Sequence, residues 1–201
     1  ATPVQAIYVW AMNNWTPDIN DAGMRAAGGH GGVRVRGVPL STVGGPGKNV
    51  AFVSEWDNDP TEISIPLRGS GRRVYLLMAG TAPSMRSHMQ LGEVVVTYAD
   101  GQTTRLPLIN PRNWWPIEQD MFSDDYSFRI GETVPPRVDL KTAKVRVQTL
   151  AESKGHGGVI DGGAATVVDL PIDPAKSLRS VTVRPLTYGV IVGVMGVTVA
   201  R

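Results

Sequence analysis

Hydrophobic and polar positions alternate with a period of two over much of this chain, and few stretches carry the 3.6-residue spacing of an amphipathic helix. Glu62 to Leu67 sets Ile63, Ile65 and Leu67 on one face and Glu62, Ser64 and Pro66 on the other. Pro66 places that run at a sheet edge or near a bulge, because proline cannot donate to a central ladder. Arg73 to Ala79 is an apolar run and predicts a strand buried on both sides. Glu93 to Tyr98 alternates again, followed by Ala99-Asp100-Gly101 and a second run through Leu108. Asp-Gly between two such runs predicts a hairpin, since glycine takes the positive φ of the turn. Val33 to Leu40, Asn49 to Ser54, Ala143 to Thr149, Ala164 to Leu170, Ser180 to Pro185 and Val190 to Val199 bring the count to about ten short strands. Helix is confined to Pro17 to Ala27, where Asp18 and Asp21 early and Arg25 late suit a short helix dipole. Gly28 to Gly32 and Gly44 to Gly47 read as loops. The expected fold is all-β: an antiparallel two-sheet sandwich, jelly-roll or galactose-binding-like, with little helix. One domain spans 1–201, with a loop-rich N-terminal extension over 1–32 and the sandwich over 33–201.

Composition agrees with that pattern. Gly 23 and Pro 15 in 201 residues sit as punctuation between apolar runs, which disfavours helix bundles. With 42% hydrophobic and 19% charged residues the chain can build a core, and at this length it buries roughly 70% of its unfolded surface. The longest apolar stretch, Tyr188 to Ala200, is shorter than a membrane-spanning helix. A formal net charge of +2 comes without any Lys/Arg block of five, so neither nucleic acid nor a membrane is an expected partner. The absence of cysteine removes disulfides, thiolate metal sites and a Cys nucleophile. The chain opens on Ala1-Thr2-Pro3 with no signal-like segment behind it, and reads as a mature form or a piece of a longer protein.

Candidate chemistry is concentrated in two places. Glu55, Asp57, Asp59 and Glu62 surround Trp56 and Asn58, while Glu118, Asp120, Asp124 and Asp125 follow Trp114-Trp115. Paired carboxylates are what glycoside hydrolysis requires, but their separation in space decides the matter. The oxygen density of Asp57-Asn58-Asp59 could hold a structural Ca²⁺, although the glycine and distal glutamate of a calcium loop are missing. Solvated turn residues are the alternative. His30, His88 and His156 lack metal-ligand spacing, and no nucleophile elbow, phosphate loop or His-Glu-x-x-His occurs. No cofactor is required and no catalytic residue is assigned.

The other place is Arg112-Asn113-Trp114-Trp115, continuing through Glu118-Gln119-Asp120. On an extended segment adjacent side chains point oppositely, so one tryptophan would face inward and the other outward. An outward indole covers the apolar C–H face of a sugar while Arg112, Asn113, Glu118, Gln119 and Asp120 take its hydroxyls. Trp56 is a further aromatic candidate. Alternatively, both rings of the pair plug the end of the sandwich or dock on a neighbouring domain.

Several segments resemble one family in their order along the chain. They are Gly37-Val38-Pro39-Leu40, Ser54-Glu55-Trp56-Asp57-Asn58-Asp59-Pro60, Arg73 to Gly80, Gly92 to Gly101, Asn113 to Asp120 and Gly162 to Pro171. Together, from about Val33 to Arg201, they resemble the β-sandwich domain near the C-terminus of large, mostly uncharacterised bacterial glycoside-hydrolase-like proteins. More loosely, they are similar to the galactose-binding-like carbohydrate-binding modules of such enzymes. The resemblance implies a polysaccharide-degrading context, extracellular or periplasmic, and supplies no defined binding residues.

The expected function is therefore a non-catalytic carbohydrate-binding or carbohydrate-associated module of a bacterial polysaccharide-degrading enzyme. Its partners would be a polysaccharide or oligosaccharide and the catalytic domain of the same polypeptide. One alternative is a structural buttress of such an enzyme. Another is a free-standing jelly-roll hydrolase or lyase using Glu118, Asp120 or a histidine. An exposed Trp or Tyr would mark binding, buried rings or a flat apolar patch a buttress, and convergent carboxylates in a cleft an enzyme.

Overall fold

The computed structural model describes residues 7–9, 13–15, 18–56, 59–82, 88–119, 134–147 and 160–201. The strands in chain order are β1 (Ile7–Val9), β2 (Asn13–Trp15), β3 (Val33–Val35), β4 (Val38–Leu40), β5 (Ala51–Ser54), β6 (Ile63–Pro66), β7 (Arg73–Thr81) and β8 (Gln90–Tyr98). There follow β9 (Thr103–Ile109), β10 (Arg137–Asp139), β11 (Val145–Arg146), β12 (Ala164–Pro171), β13 (Leu178–Pro185) and β14 (Ile191–Ala200). Among the described residues one helix, α1 (Ala22–Gly28), precedes β3.

A six-stranded sheet in the order β11-β10-β12-β7-β14-β5 packs on a four-stranded sheet in the order β6-β13-β8-β9, all pairings antiparallel. Four of these pairings nest: β5 with β14, β6 with β13, β7 with β12, and β8 with β9. One long antiparallel ribbon is thus folded over on itself, which is the jelly roll. The hairpin β10–β11 extends the larger sheet beyond β12.

Each strand's alternation serves this arrangement. On β7, Val74, Leu76 and Met78 point between the sheets, with Val94, Val96, Val181 and Val183 opposite. Leu77 and Ala79 point the other way, into a second apolar layer with Met24, Val33, Val35, Leu40, Ala165 and Val167. The apolar run of β7 is buried on both faces because α1 and the hairpin β3–β4 cover the outside of the larger sheet. Helix α1, within the segment 1–32 expected as an extension, and the hairpin β3–β4 thus form a third layer of the fold.

Bulges adjust the pattern. In β14, Val192 and Val194 face the inner core, and so do Val197 and Val199, although the parity has changed between them. A register shift between Val194 and Gly196 absorbs the extra residue and turns Met195 to the outer layer.

Two sequence expectations change in detail. Val33 to Leu40 is a hairpin instead of one strand, because Arg36 and Gly37 both take positive φ (48° and 83°) and close a two-residue turn. The helix begins at Ala22, five residues later than expected, after Asp21. The Asp100-Gly101 turn joins β8 to β9 as predicted, with Gly101 at φ 85°. Pro66 does lie on an edge strand, β6.

Candidate functional site

The registers gather one set of loops at one end of the sandwich. Ser54 at the end of β5 and Thr81 at the end of β7 both pair with Ile191, the first residue of β14. Gln90 pairs with Ile109, and Pro185 with Gly92. Residues 55–56, 59–62, 82, 88–89, 110–119 and 186–190 therefore leave the sheets at the same end. Every described residue of the two candidate clusters lies there.

The segment 110–119 is anchored at almost every residue. Asn113 closes its first turn: its backbone N–H donates to Ile109 O (3.1 Å), its Oδ1 accepts from Ile109 N (2.8 Å), and its Nδ2 donates to Pro107 O (2.8 Å). Asn110 Nδ2 reaches Gln119 Oε1 at 3.0 Å, tying the segment's two ends together. Ile117 N donates to Gly80 O (2.7 Å) on β7, and Ala164 N on β12 donates to Ile117 O (2.8 Å). The chain is thereby threaded between the ends of two strands.

This threading decides the fate of the tryptophan pair. Trp114 and Trp115 are both 0% exposed. The two rings have different surroundings, and both are covered. Trp114 enters the inner core with Met78, Val192 and Leu108. Trp115 donates from Nε1 to Pro111 O (2.8 Å), and the Arg137 guanidinium lies 5.5 Å from its ring centroid. The expectation that one ring faces outward is corrected: neither presents a face to a ligand in this structure.

Arg137, on β10, is 1% exposed, and its two terminal nitrogens donate to backbone carbonyls. It donates to Pro116 O (2.8 Å), Ile117 O (3.2 Å) and Ala164 O (3.1 Å), and also to Gln119 O. One cation thus collects the carbonyls of the threaded segment. No periodic pattern announced it, since it follows Pro135-Pro136 in a short strand.

Glu118 is 5% exposed. Burial pushes its carboxyl up to about 7, against the opposing pull of its own backbone N–H, the Arg137 charge and the Thr81 hydroxyl. Thr81 lies against it, yet Glu118 Oε2 and Thr81 Oγ1 complete no hydrogen bond of good geometry. Asp59 accepts from the Ser54 hydroxyl (2.6 Å), which also accepts from Trp56 N (3.1 Å). Asp57, Asn58, Asp120, Asp124, Asp125 and His156 lie outside the described residues. Among the described residues no three His, Asp or Glu side chains converge as metal ligands. None of the described helices is long and apolar enough to cross a membrane.

Of the sequence candidates, Arg112, Trp56 and the acidic pair Glu55 and Glu62 remain on the surface, Trp56 at 36%. Three further apolar side chains stand out at the same end: Tyr188 at 69%, with Met89 and Leu186. Leu186 N donates to Leu91 O (3.0 Å) and Thr187 Oγ1 to Gln90 O (3.0 Å), so this turn lies beside the start of β8. Tyr188 was hidden in the sequence as the first residue of a long apolar run. The glycine after it, at φ 80°, was the available sign that it sits in a turn.

Searches against family models, curated proteins and solved structures found no match to this chain.

Proposed function

We propose that this domain is a non-catalytic carbohydrate-binding module of a bacterial polysaccharide-degrading enzyme, acting outside the cytoplasm and holding polysaccharide for a catalytic domain in the same polypeptide. The observation that carries the reading is the pair of exposed aromatics, Trp56 and Tyr188, on loops at one end of the jelly roll. An exposed ring supplies a flat apolar face for sugar C–H groups, and Arg112 at the same end supplies donors for hydroxyls. The family resemblance of residues 33–201 supports the same context.

Affinity electrophoresis of the isolated domain through a panel of plant and algal polysaccharides tests this. Retardation by at least one polymer is expected, without release of product. Trp56→Ala and Tyr188→Ala should each weaken it by about 1–3 kcal/mol, the range found for aromatic stacking on nucleic-acid bases. Indifference to every polymer would remove the binding reading.

A second reading, the structural buttress, draws on a different observation. The tryptophan pair is buried, and Met89 and Leu186 share the loop end with the two rings. Thioether and aliphatic surface suits a protein neighbour better than a sugar. Under this reading no glycan retards the domain, and Leu186→Asp weakens its attachment to the flanking domain.

A further inference from the structure

Among the polar groups of the loop end, one acid is buried where its charge is poorly served. Glu118 occupies the last turn of the segment 110–119, between the end of β7 and the start of β12. Its backbone carbonyl accepts from Ile160 N (3.0 Å). Its carboxyl meets Thr81 from β7 and the charge of Arg137 from β10, and Glu118 Oε2 and Thr81 Oγ1 both lack a hydrogen-bond partner. Arg137 is already engaged with backbone carbonyls, so it compensates only part of the carboxylate's lost hydration. From the segment itself come Asn110 and Gln119, which are neutral and bonded to one another. Among the described residues a further titratable group, His88 before β8, is linked through its backbone N–H to Asn110 O (2.7 Å).

We propose that Glu118 is a pH-sensitive latch: as the carboxylic acid it holds the segment 110–119 against β7, and as the carboxylate it favours release of that segment from the end of the sandwich. The neutral acid can share its proton with Thr81 Oγ1 and is buried at small cost. Once the proton passes to solvent, a charged oxygen without a donor stays in an apolar setting, and opening the segment rehydrates it.

The sign follows from the raised folded value of about 7 against an ordinary value of 4.5. The contribution is fully present below the unfolded value, declines as pH rises between the two, and is lost above the folded value. Within that window the folding equilibrium falls by up to about tenfold per pH unit. Because the segment carries the Ile117 N–H to Gly80 O bond, its opening is visible in amide exchange.

Hydrogen exchange of the full chain at pH 6 and pH 8, corrected for intrinsic rates, should show Trp115 and Ile117 amides protected less at pH 8. Fluorescence of the neighbouring tryptophans should change with a midpoint near 7. Glu118→Gln, neutral at every pH and still able to donate to Thr81, should keep the protection at pH 8 and abolish the fluorescence transition. A ¹³C titration of the wild-type carboxyl should place Glu118 near 7, independently of how any variant folds. The latch is overturned by a Glu118 midpoint near 4.5, by equal protection at both pH values, or by a transition that survives in Glu118→Gln. It is equally overturned if His88→Asn alone removes the transition.

Discussion

Arg137 and Trp115 illustrate how backbone carbonyls and an indole face accommodate a buried guanidinium. Four backbone carbonyls accept from the guanidinium while the indole covers its face. The planar fork matters, because lysine cannot address several carbonyls in one plane. Trp115→Ala removes a fully buried ring together with that stacking, and Trp114→Ala leaves a hole in the inner core. Each should cost about 3–5 kcal/mol in denaturant unfolding, with no asymmetry between them. Trp56→Ala at the surface should stay within about 0.5 kcal/mol of wild type. The contrast is the measurement: similar losses for the two adjacent rings place both inside, whereas a silent variant at either would reopen the stacking role. At this scale the sequence was half legible. Burial of the two rings depends on what lies around them, and β10, β12 and β7 arrive from elsewhere in the chain.

Among the elements, long strands with clean alternation were readable because the two-residue period is enforced by a core on at least one face. β7, β8, β9, β12 and β13 all fall where the pattern put them, within a few residues. β10, only three residues long, carries no period to detect, and β1 and β2 also passed unnoticed. Hydrogen bonds to strands already in place define such short pieces, and that information is not local. Close approach of strands has a similar consequence at Gly80 on β7. A Cβ built there would stand 2.2 Å from Ile191 O and 3.0 Å from Trp114 Cζ2. The first neighbour is backbone of the paired strand and cannot rotate aside. Gly80→Ala should therefore push β14 away from β7 and cost about 1–3 kcal/mol. Urea unfolding would register it as a lower midpoint at unchanged slope. An alanine variant as stable as wild type would mean that the two strands can separate locally without loss.

For the whole molecule the decisive question is what covers the outer face of the larger sheet. The sandwich itself needs only β5 to β14, and no strand pattern before Val33 marks those residues as part of it. Yet Leu77, Ala79, Val138, Ala165 and Val167 face away from the inner core and are closed over by Met24, Val33, Val35 and Leu40. Burial of a large apolar side chain contributes about 1.5–3 kcal/mol, so these four together contribute on the order of 6–12 kcal/mol before the entropy of ordering their segment is charged against them. A domain's net stability is only about 5–15 kcal/mol. The covering layer is also tied by polar contacts: Arg25 reaches Asp21 (2.8 Å), Gly45 O (2.6 Å) and Gly47 O (2.8 Å), and Asn49 Nδ2 reaches Asp21 Oδ2 (2.9 Å). A chain beginning at Asn49 keeps all eight strands of the jelly roll and loses this layer. It should retain a β-type circular dichroism spectrum at best, bind a hydrophobic dye strongly, and lose cooperative melting or aggregate. The full chain should melt in one transition, with helix below about 15% of its far-ultraviolet signal, against the usual third. If residues 1–48 were a mere extension, the shortened chain would melt at the same temperature as the full one and leave the dye dark, and the third layer would then carry no weight in the fold.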